Sequence, residues 1–286
     1  MAGRSPDGMA TVTIAQTAGQ TMRVSADSDA LGRDIYAGLR AWRLWSMLGW
    51  NDIRRRYRRS YLGPFWITIS MTLLVVALGF LYAHIFDTDI ETYLPYLSLG
   101  FIVWAFISTC VKDSCPIFAV HANLIKQIRI PFSVHLLRSI WANFIVLLHT
   151  IIIVIPIDIY FRHWPGWVAL LALPGITLIS LNLLWVGICL AVLNTRFRDV
   201  SQMVDTVVQI AVFATPIMWP VSALRERTYL AEINPIYHLI ELVRAPLTGH
   251  APATLSWLVA LVGAAVGLVV AALLLRRAER RIVYWL

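Results

Sequence analysis

Charge is what this chain has least of. Only 14% of its 286 residues are Asp, Glu, Lys or Arg, against roughly 25% in soluble domains, whose surfaces must be kept wet. Lysine is nearly absent, with Lys112 and Lys126 alone among the 24 basic residues. A P-loop needs a lysine directly after glycine; these two follow Val111 and Ile125, so the chain cannot be a P-loop ATPase by itself. Cysteine occurs three times, at 110, 115 and 189, a spacing that gives neither a CxxC pair nor a disulfide framework. No HExxH or GxSxG occurs, and the seven histidines lack ligand spacing. No catalytic residue or metal site is therefore expected, and no internal repeat of 20–50 residues is visible.

What the chain has instead is apolar surface. Its composition is 59% hydrophobic and its mean hydropathy +0.70, values of a protein dissolved mostly in lipid. Helices satisfy their own backbone hydrogen bonds, which lipid cannot do, so the expected class is all-α. Runs near 20 residues predict six transmembrane helices, at about 65–86, 93–111, 139–161, 167–193, 203–224 and 254–275. Pro216 and Pro220 interrupt the fifth, where a kink or unwound turn is expected. Residues 1–30 are polar and read as a disordered cytosolic tail, leaving 31–286 as the membrane domain. At 100° per residue, Leu31, Ile35, Leu39, Trp42 and Trp45 share one face and Arg33, Arg40 and Arg43 the other, the pattern of an amphipathic helix lying in the membrane interface.

The net charge of +8 would suggest nucleic acid in a soluble protein. Here it sets topology. With six spans and the N-terminus inside, 20 of the 24 basic residues fall in cytosolic segments and four outside, at Arg162, Arg225, Arg227 and Arg244. That bias predicts both termini in the cytosol of a multi-pass inner-membrane protein, and no nucleic-acid partner. Two connections exceed a turn. Cytosolic 112–138 predicts a short helix stopped by Pro131, and external 225–253 holds an apolar piece, Ile236–Val243, that is re-entrant or interfacial.

The run Asn51-Asp52-Ile53-Arg54-Arg55-Arg56-Tyr57-Arg58-Arg59 is the densest charge in the chain. It anchors topology and attracts anionic lipid; guanidinium forks also match phosphate oxygens. Of the aromatics, Trp104, Trp141, Trp185 and Phe213 fall within predicted spans, where they face lipid, are packed or line a path. Gly263-x-x-x-Gly267 permits close helix approach.

Several segments in order carry a family pattern. Arg54 to Trp66 reads RRRYRRSYLGPFW, Leu124 to Pro131 reads LIKQIRIP, and Asn194 to Val200 reads NTRFRDV. Thr215-Pro216-Ile217-Met218-Trp219 and Asn234-Pro235 through Arg244 follow. Over about residues 35–280 this set resembles ABC-2-type polysaccharide export permeases. The resemblance implies a homodimer with two copies of a separate ABC ATPase subunit, which would carry the ATP and Mg²⁺; this chain would bind no cofactor. The cargo implied is an undecaprenyl-diphosphate-linked polysaccharide, O-antigen first, with capsule or teichoic-type polymer as alternatives. ATPase coupling would fall to Asn51, Asp52, Leu124, Lys126, Arg129 and Pro131. The lipid diphosphate would dock on Arg54, Arg55, Arg56, Arg58 and Arg59. The channel and gate would involve Trp66, Trp104, Phe213, Pro216, Trp219, Asn234, Pro235, Tyr237 and Arg244, with 228–246 as a re-entrant gate.

Two rivals belong to other classes. A membrane-embedded enzyme acting on lipid-linked sugars needs converging carboxylates or histidines, and the loops offer isolated ones. A secondary transporter should show inverted repeats, and none is visible.

Overall fold

The computed structural model describes residues 30–58, 63, 65–128, 130–162 and 164–286. The expected tail before residue 30, Arg59 and Arg129 lie outside them. The described residues form helices and turns with no strand. In chain order the α-helices are α1 (Ala30–Arg40), α2 (Trp42–Tyr57), α3 (Phe65–Ile85), α4 (Ile90–Ser114), α5 (Ile117–Val120), α6 (Ala122–Gln127) and α7 (Phe132–Thr150). There follow α8 (Val154–Tyr160), α9 (Ala172–Arg196), α10 (Val200–Ala214), α11 (Tyr229–Glu232), α12 (Pro235–Leu247) and α13 (Thr254–Trp285).

Five helical stretches are long and apolar enough to cross a membrane: Phe65–Ile85, Ile90–Ser114, Phe132–Tyr160, Gly166–Arg196 and Thr254–Ala278. They match five of the six expected runs. The fifth run, 203–224, is not one continuous helix. Its helix, α10, has 15 residues and is about 22 Å long, short of the ~30 Å hydrocarbon core. Pro216 is the cause, because the residue before a proline is pushed out of the helical region, and Thr215 is extended (φ −99°, ψ 140°). Proline also explains two irregular stretches elsewhere. Pro156 and Pro174 each lack the N–H that would bond four residues back, and 3₁₀ turns at Ile151–Ile153 and Gly166–Leu171 precede them.

The expected interface helix is two helices. The chain turns at Ala41 (φ −80°, ψ 30°), between α1 and α2. Its apolar stripe also divides: Ile35 packs on the core, while Leu39 and Trp42 stay exposed. Between predicted spans five and six the chain forms a 3₁₀ turn (Val221–Arg227), then α11 and α12.

The hub is α4, buried over 78% of its apolar window, against 11% for α3. It packs against α3, α7, α9 and α12. The closest long pairing is α9 with α13. There Asn182 Nδ2 donates to the Ala260 carbonyl at 3.0 Å and its Oδ1 accepts from Trp185 Nε1 at 3.1 Å. The Trp185 indole lies where a Cβ on Gly267 would stand, so the Gly-x-x-x-Gly spacing makes room for a tryptophan. Gly267→Leu forces that ring away and should destabilise the pair by about 2 kcal/mol, as overpacking does. An unfolding midpoint in detergent equal to that of the parent would refute this account of the α9–α13 contact.

Candidate functional site

At 100° per residue the arginine run of α2 cannot face one way. Asn51, Arg54 and Arg58 share one side and line a cleft of ≈ 520 Å³ with Leu48 and Arg55. Asp52, Arg55 and Arg56 turn toward a second cleft of ≈ 660 Å³ between α2, the end of α4, α5–α6 and the start of α7.

The second cleft is organised by a buried ion pair. Arg138, 5% exposed, grips Asp52 with Nε and Nη2, the latter at 2.5 Å. This fork-on-carboxylate geometry is the strong form of the contact. Arg55 Nη2 reaches the same carboxylate at 2.6 Å. Burial alone would raise the Asp52 pKa, but the two guanidiniums outweigh it and hold it below 3.8. Beside it, Asp113 accepts from Asn143 Nδ2 at 2.9 Å and lies 3.8 Å from Arg56. Lys112 and Asp205, 3.6 Å apart, join α4 to α10 at a more exposed point.

Two histidines complete the cleft, their ring centroids 5.3 Å apart. The Ile117 carbonyl lies 2.8 Å from His121 Nδ1 and, being an acceptor only, fixes the proton there. Burial is the largest cause pushing the His121 pKa below 6.5, and Arg138 adds to it.

Docking of α1–α2 against α7 explains how this site is placed. The first N–H groups of a helix need outside acceptors. Pro131 precedes α7 and offers no side-chain cap. Asp34 of α1 supplies it, its carboxylate accepting from Phe132 N at 2.8 Å and Ser133 N at 2.9 Å. Gly38 and Gly49 allow the close approach: a Cβ on either would collide with Ser133 or with the Arg138 carbonyl.

The residues expected to couple to a partner are placed as follows. Leu124 and Lys126 lie on α6, a six-residue helix with no buried residue. It ends at extended Ile128, three residues before Pro131, which stands at the N-cap of α7. Asn51 faces the smaller cleft and Asp52 the larger.

The expected gate residues form a second assembly around the break at Thr215–Trp219. Buried carbonyls there have lost their helical partners and need others. Arg244, 1% exposed, donates Nη1 to the Pro216 carbonyl at 2.8 Å and Nε to Glu241 at 2.9 Å. Its guanidinium lies 3.9 Å from the centre of the Tyr96 ring, a cation–π contact. The Tyr96 hydroxyl is within reach of the Pro216 and Trp219 carbonyls at 3.0 and 3.2 Å, and Tyr93 donates to the Met218 carbonyl. Asn234 caps α12 by accepting from Ile236 N at 3.0 Å, with Pro235 at the first helical position, and its Nδ2 donates to Thr215 Oγ1 at 2.9 Å. Trp219 Nε1 donates to the Phe213 carbonyl at 3.0 Å. Tyr237 is half-buried beside His238, ring centroids 5.3 Å apart.

Phe213, Pro216, Trp219, Asn234 and Arg244 are thus brought together. Trp66 and Trp104 are not. Trp66 is exposed at the start of α3, and Trp104 is buried in the middle of α4. Sequence reasoning missed Asp34, Asp113, His121, His135, Arg138, Tyr93, Tyr96 and Glu241 as parts of these assemblies. Tyr93 and Tyr96 carried a readable signal: hydroxyls three residues apart at the start of an apolar run must find acceptors. Asp34 carried none, since its partners lie 98 and 99 residues away.

Two outcomes test the ion pair. Asp52→Ala leaves Arg138 buried without its counter-charge and should cost about 3 kcal/mol, whereas Arg138→Gln leaves Asp52 with Arg55 and should cost less. Equal losses in detergent unfolding would refute the assignment of Arg138 as the buried partner. A carboxyl held below its ordinary value stabilises the fold above pH 3.8 and loses that stabilisation as pH falls through its folded value. His121, also lowered, stabilises above pH 6.5 and loses this on acidification below it. Asp52→Asn should therefore flatten the fall in stability below pH 3.8 while leaving the loss that starts near pH 6.5. An unchanged profile below pH 3.8 would contradict the role given to Asp52.

The ABC-2 type transporter family matches residues 43–248 of the chain. Among named proteins, the "O-antigen export system permease protein RfbA" of Myxococcus xanthus is 24% identical over 204 residues, 70% of this chain and 78% of the relative. Two Klebsiella pneumoniae proteins of the same name are 24% and 23% identical over 197 and 192 residues. Each alignment covers 66% of this chain and 74% of the relative.

Proposed function

Since the chain belongs to the ABC-2 type transporter family, we propose that it is the membrane permease subunit of an ATP-driven exporter of lipid-linked polysaccharide. O-antigen is the first choice of cargo. The observation that carries this is the family match over most of the chain together with three relatives named as O-antigen export permeases. A multi-pass membrane protein without a glycine-preceded lysine needs its energy from elsewhere. Two copies of a separate ATPase subunit, holding ATP and Mg²⁺, supply it.

In this proposal the chain works as a homodimer with both termini cytosolic, as the excess of arginine in the segments outside the apolar runs supports. Exposed α6, with Leu124 and Lys126, meets the ATPase. The Arg54 and Arg58 side of α2 receives the lipid diphosphate, where guanidinium forks suit phosphate oxygens. The apolar faces of α3 and α10 remain uncovered within one protomer, including Trp66, Leu73 and Phe80 on the first and Met203, Ile210 and Phe213 on the second. Paired with a second copy, these faces bound the path of the sugar chain, and the Thr215–Trp219 break with α12 closes it on the outer side.

Deletion of the gene in its native host tests the proposal. Surface polysaccharide should disappear while polymer on its lipid carrier accumulates inside, and the wild-type gene should restore export. Lys126→Ala should restore membrane insertion without export and should weaken recovery of the ATPase with the purified permease. Unchanged surface polymer in the deletion strain would refute the function; normal export by Lys126→Ala would refute the coupling role alone.

A further inference from the structure

We propose that the ≈ 660 Å³ cleft between α2 and α7 is a binding site for a phosphate group, presented by an anionic lipid headgroup or as free phosphate. Four features of the cleft support this. First, its lining has surplus hydrogen-bond donors. Arg55, Arg56 and Arg138 face two carboxylates, Asp52 and Asp113. Both Asp52 oxygens are already occupied by Arg138 and Arg55, and Arg56 lies beside the Tyr57 hydroxyl and 3.8 Å from Asp113. Five N–H groups on each guanidinium exceed what these acceptors can take, and that surplus of donors suits an anion.

Second, His135 at the floor of the cleft is 1% exposed, and neither ring nitrogen has a hydrogen-bond partner among the described residues. Every imidazole carries at least one N–H, and leaving it buried without an acceptor costs about 1–3 kcal/mol. Both nitrogens are closed to solvent, so a small turn of the ring lets an oxyanion seated in the cleft provide that acceptor. Third, His121 spends Nδ1 on the Ile117 carbonyl, which leaves Nε2 to address an occupant.

Fourth, the depth is right for a headgroup. The stretch Phe132–Tyr160 has 29 residues, about 43 Å of helix, whereas the hydrocarbon core needs ~30 Å. His135 and Arg138 lie in its first two turns, within the excess. The cleft takes Asp52 and Arg56, which turn away from Arg54 and Arg58, and it shares Leu48 and Arg55 with the smaller cleft. Nothing in the cleft depends on which polymer is exported.

The test uses the purified permease alone in neutral detergent, so that its outcome is independent of export. Unfolding midpoints are read with phosphatidylglycerol, with phosphatidylcholine and with inorganic phosphate. The variants are Arg56→Gln, His135→Phe and, as a control outside both clefts, Arg281→Gln at an exposed position of α13. The wild type and Arg281→Gln should gain in midpoint with phosphatidylglycerol or phosphate over phosphatidylcholine, and Arg56→Gln should lose at least half of that gain. His135→Phe should also lose it; if that variant fails to fold, Arg56→Gln decides. A gain with phosphatidylglycerol alone assigns the site to lipid, and a gain with inorganic phosphate assigns it to the free ion. Equal gains in all variants, or none in the wild type, overturn the proposal.

Discussion

A backbone carbonyl that leaves its helix inside a packed apolar protein must find a donor, and this requirement organises the molecule. Most of the chain meets it by staying helical. Where proline forbids that, side chains from neighbouring helices take over. Thr215 to Trp219 is held by Tyr93 and Tyr96 of α4 and by Arg244 of α12. Those donors lie in the most buried helix and on a helix that packs against it. The break is thereby part of the core rather than a flexible link. Arg244 needs Glu241 and the Tyr96 ring in turn, because a guanidinium without them would be a buried charge in an apolar surround.

The same constraint acts at the opposite kind of helix end. The first turn of α7 exposes N–H groups, and Asp34 from α1 accepts two of them. That contact, with the Asp52–Arg138 fork one helix later, docks α1–α2 along α7 through polar contacts at both positions. Apolar packing of Ile53 with Ala142 and Ile145 supplements it. An amphipathic pair held in this way has a defined orientation, and its two arginine faces are consequently aimed at different spaces. In a helix lying free on a membrane they would be averaged.

How much of this was legible in the sequence depends on range. Five spans could be read because an apolar run of 20 residues is a local property. The 203–224 run was apolar enough to count, and of the kink or unwound turn expected at its prolines the structure has the unwound stretch, which ends α10 at Ala214. The division at Ala41 had no proline or glycine to announce it. The arginine run was visible as a block, but its split into two faces follows from helical geometry and needed only the confirmation that α2 continues to Tyr57. Asp113 and Arg138 were invisible as site residues because each looked like an ordinary charge at the end of an apolar run. Their partners lie on other helices: Asp52 for Arg138 and, for Asp113, Arg56.

The buried pairs also bear on the charge asymmetry from which the orientation is inferred. The positive-inside bias counts basic groups that must be kept from crossing. Arg138 and Arg244 are poor members of that count. One is 5% and the other 2% exposed at the side chain, and each sits on a carboxylate. Each carries structure, and neither presents a free charge to either surface. Setting aside Arg138 among the 20 and Arg244 among the four leaves about 19 against 3. The three remaining residues expected outside, Arg162, Arg225 and Arg227, lie in a turn or a 3₁₀ segment between α-helices. The asymmetry therefore does not weaken when these two structural arginines are set aside; it becomes steeper.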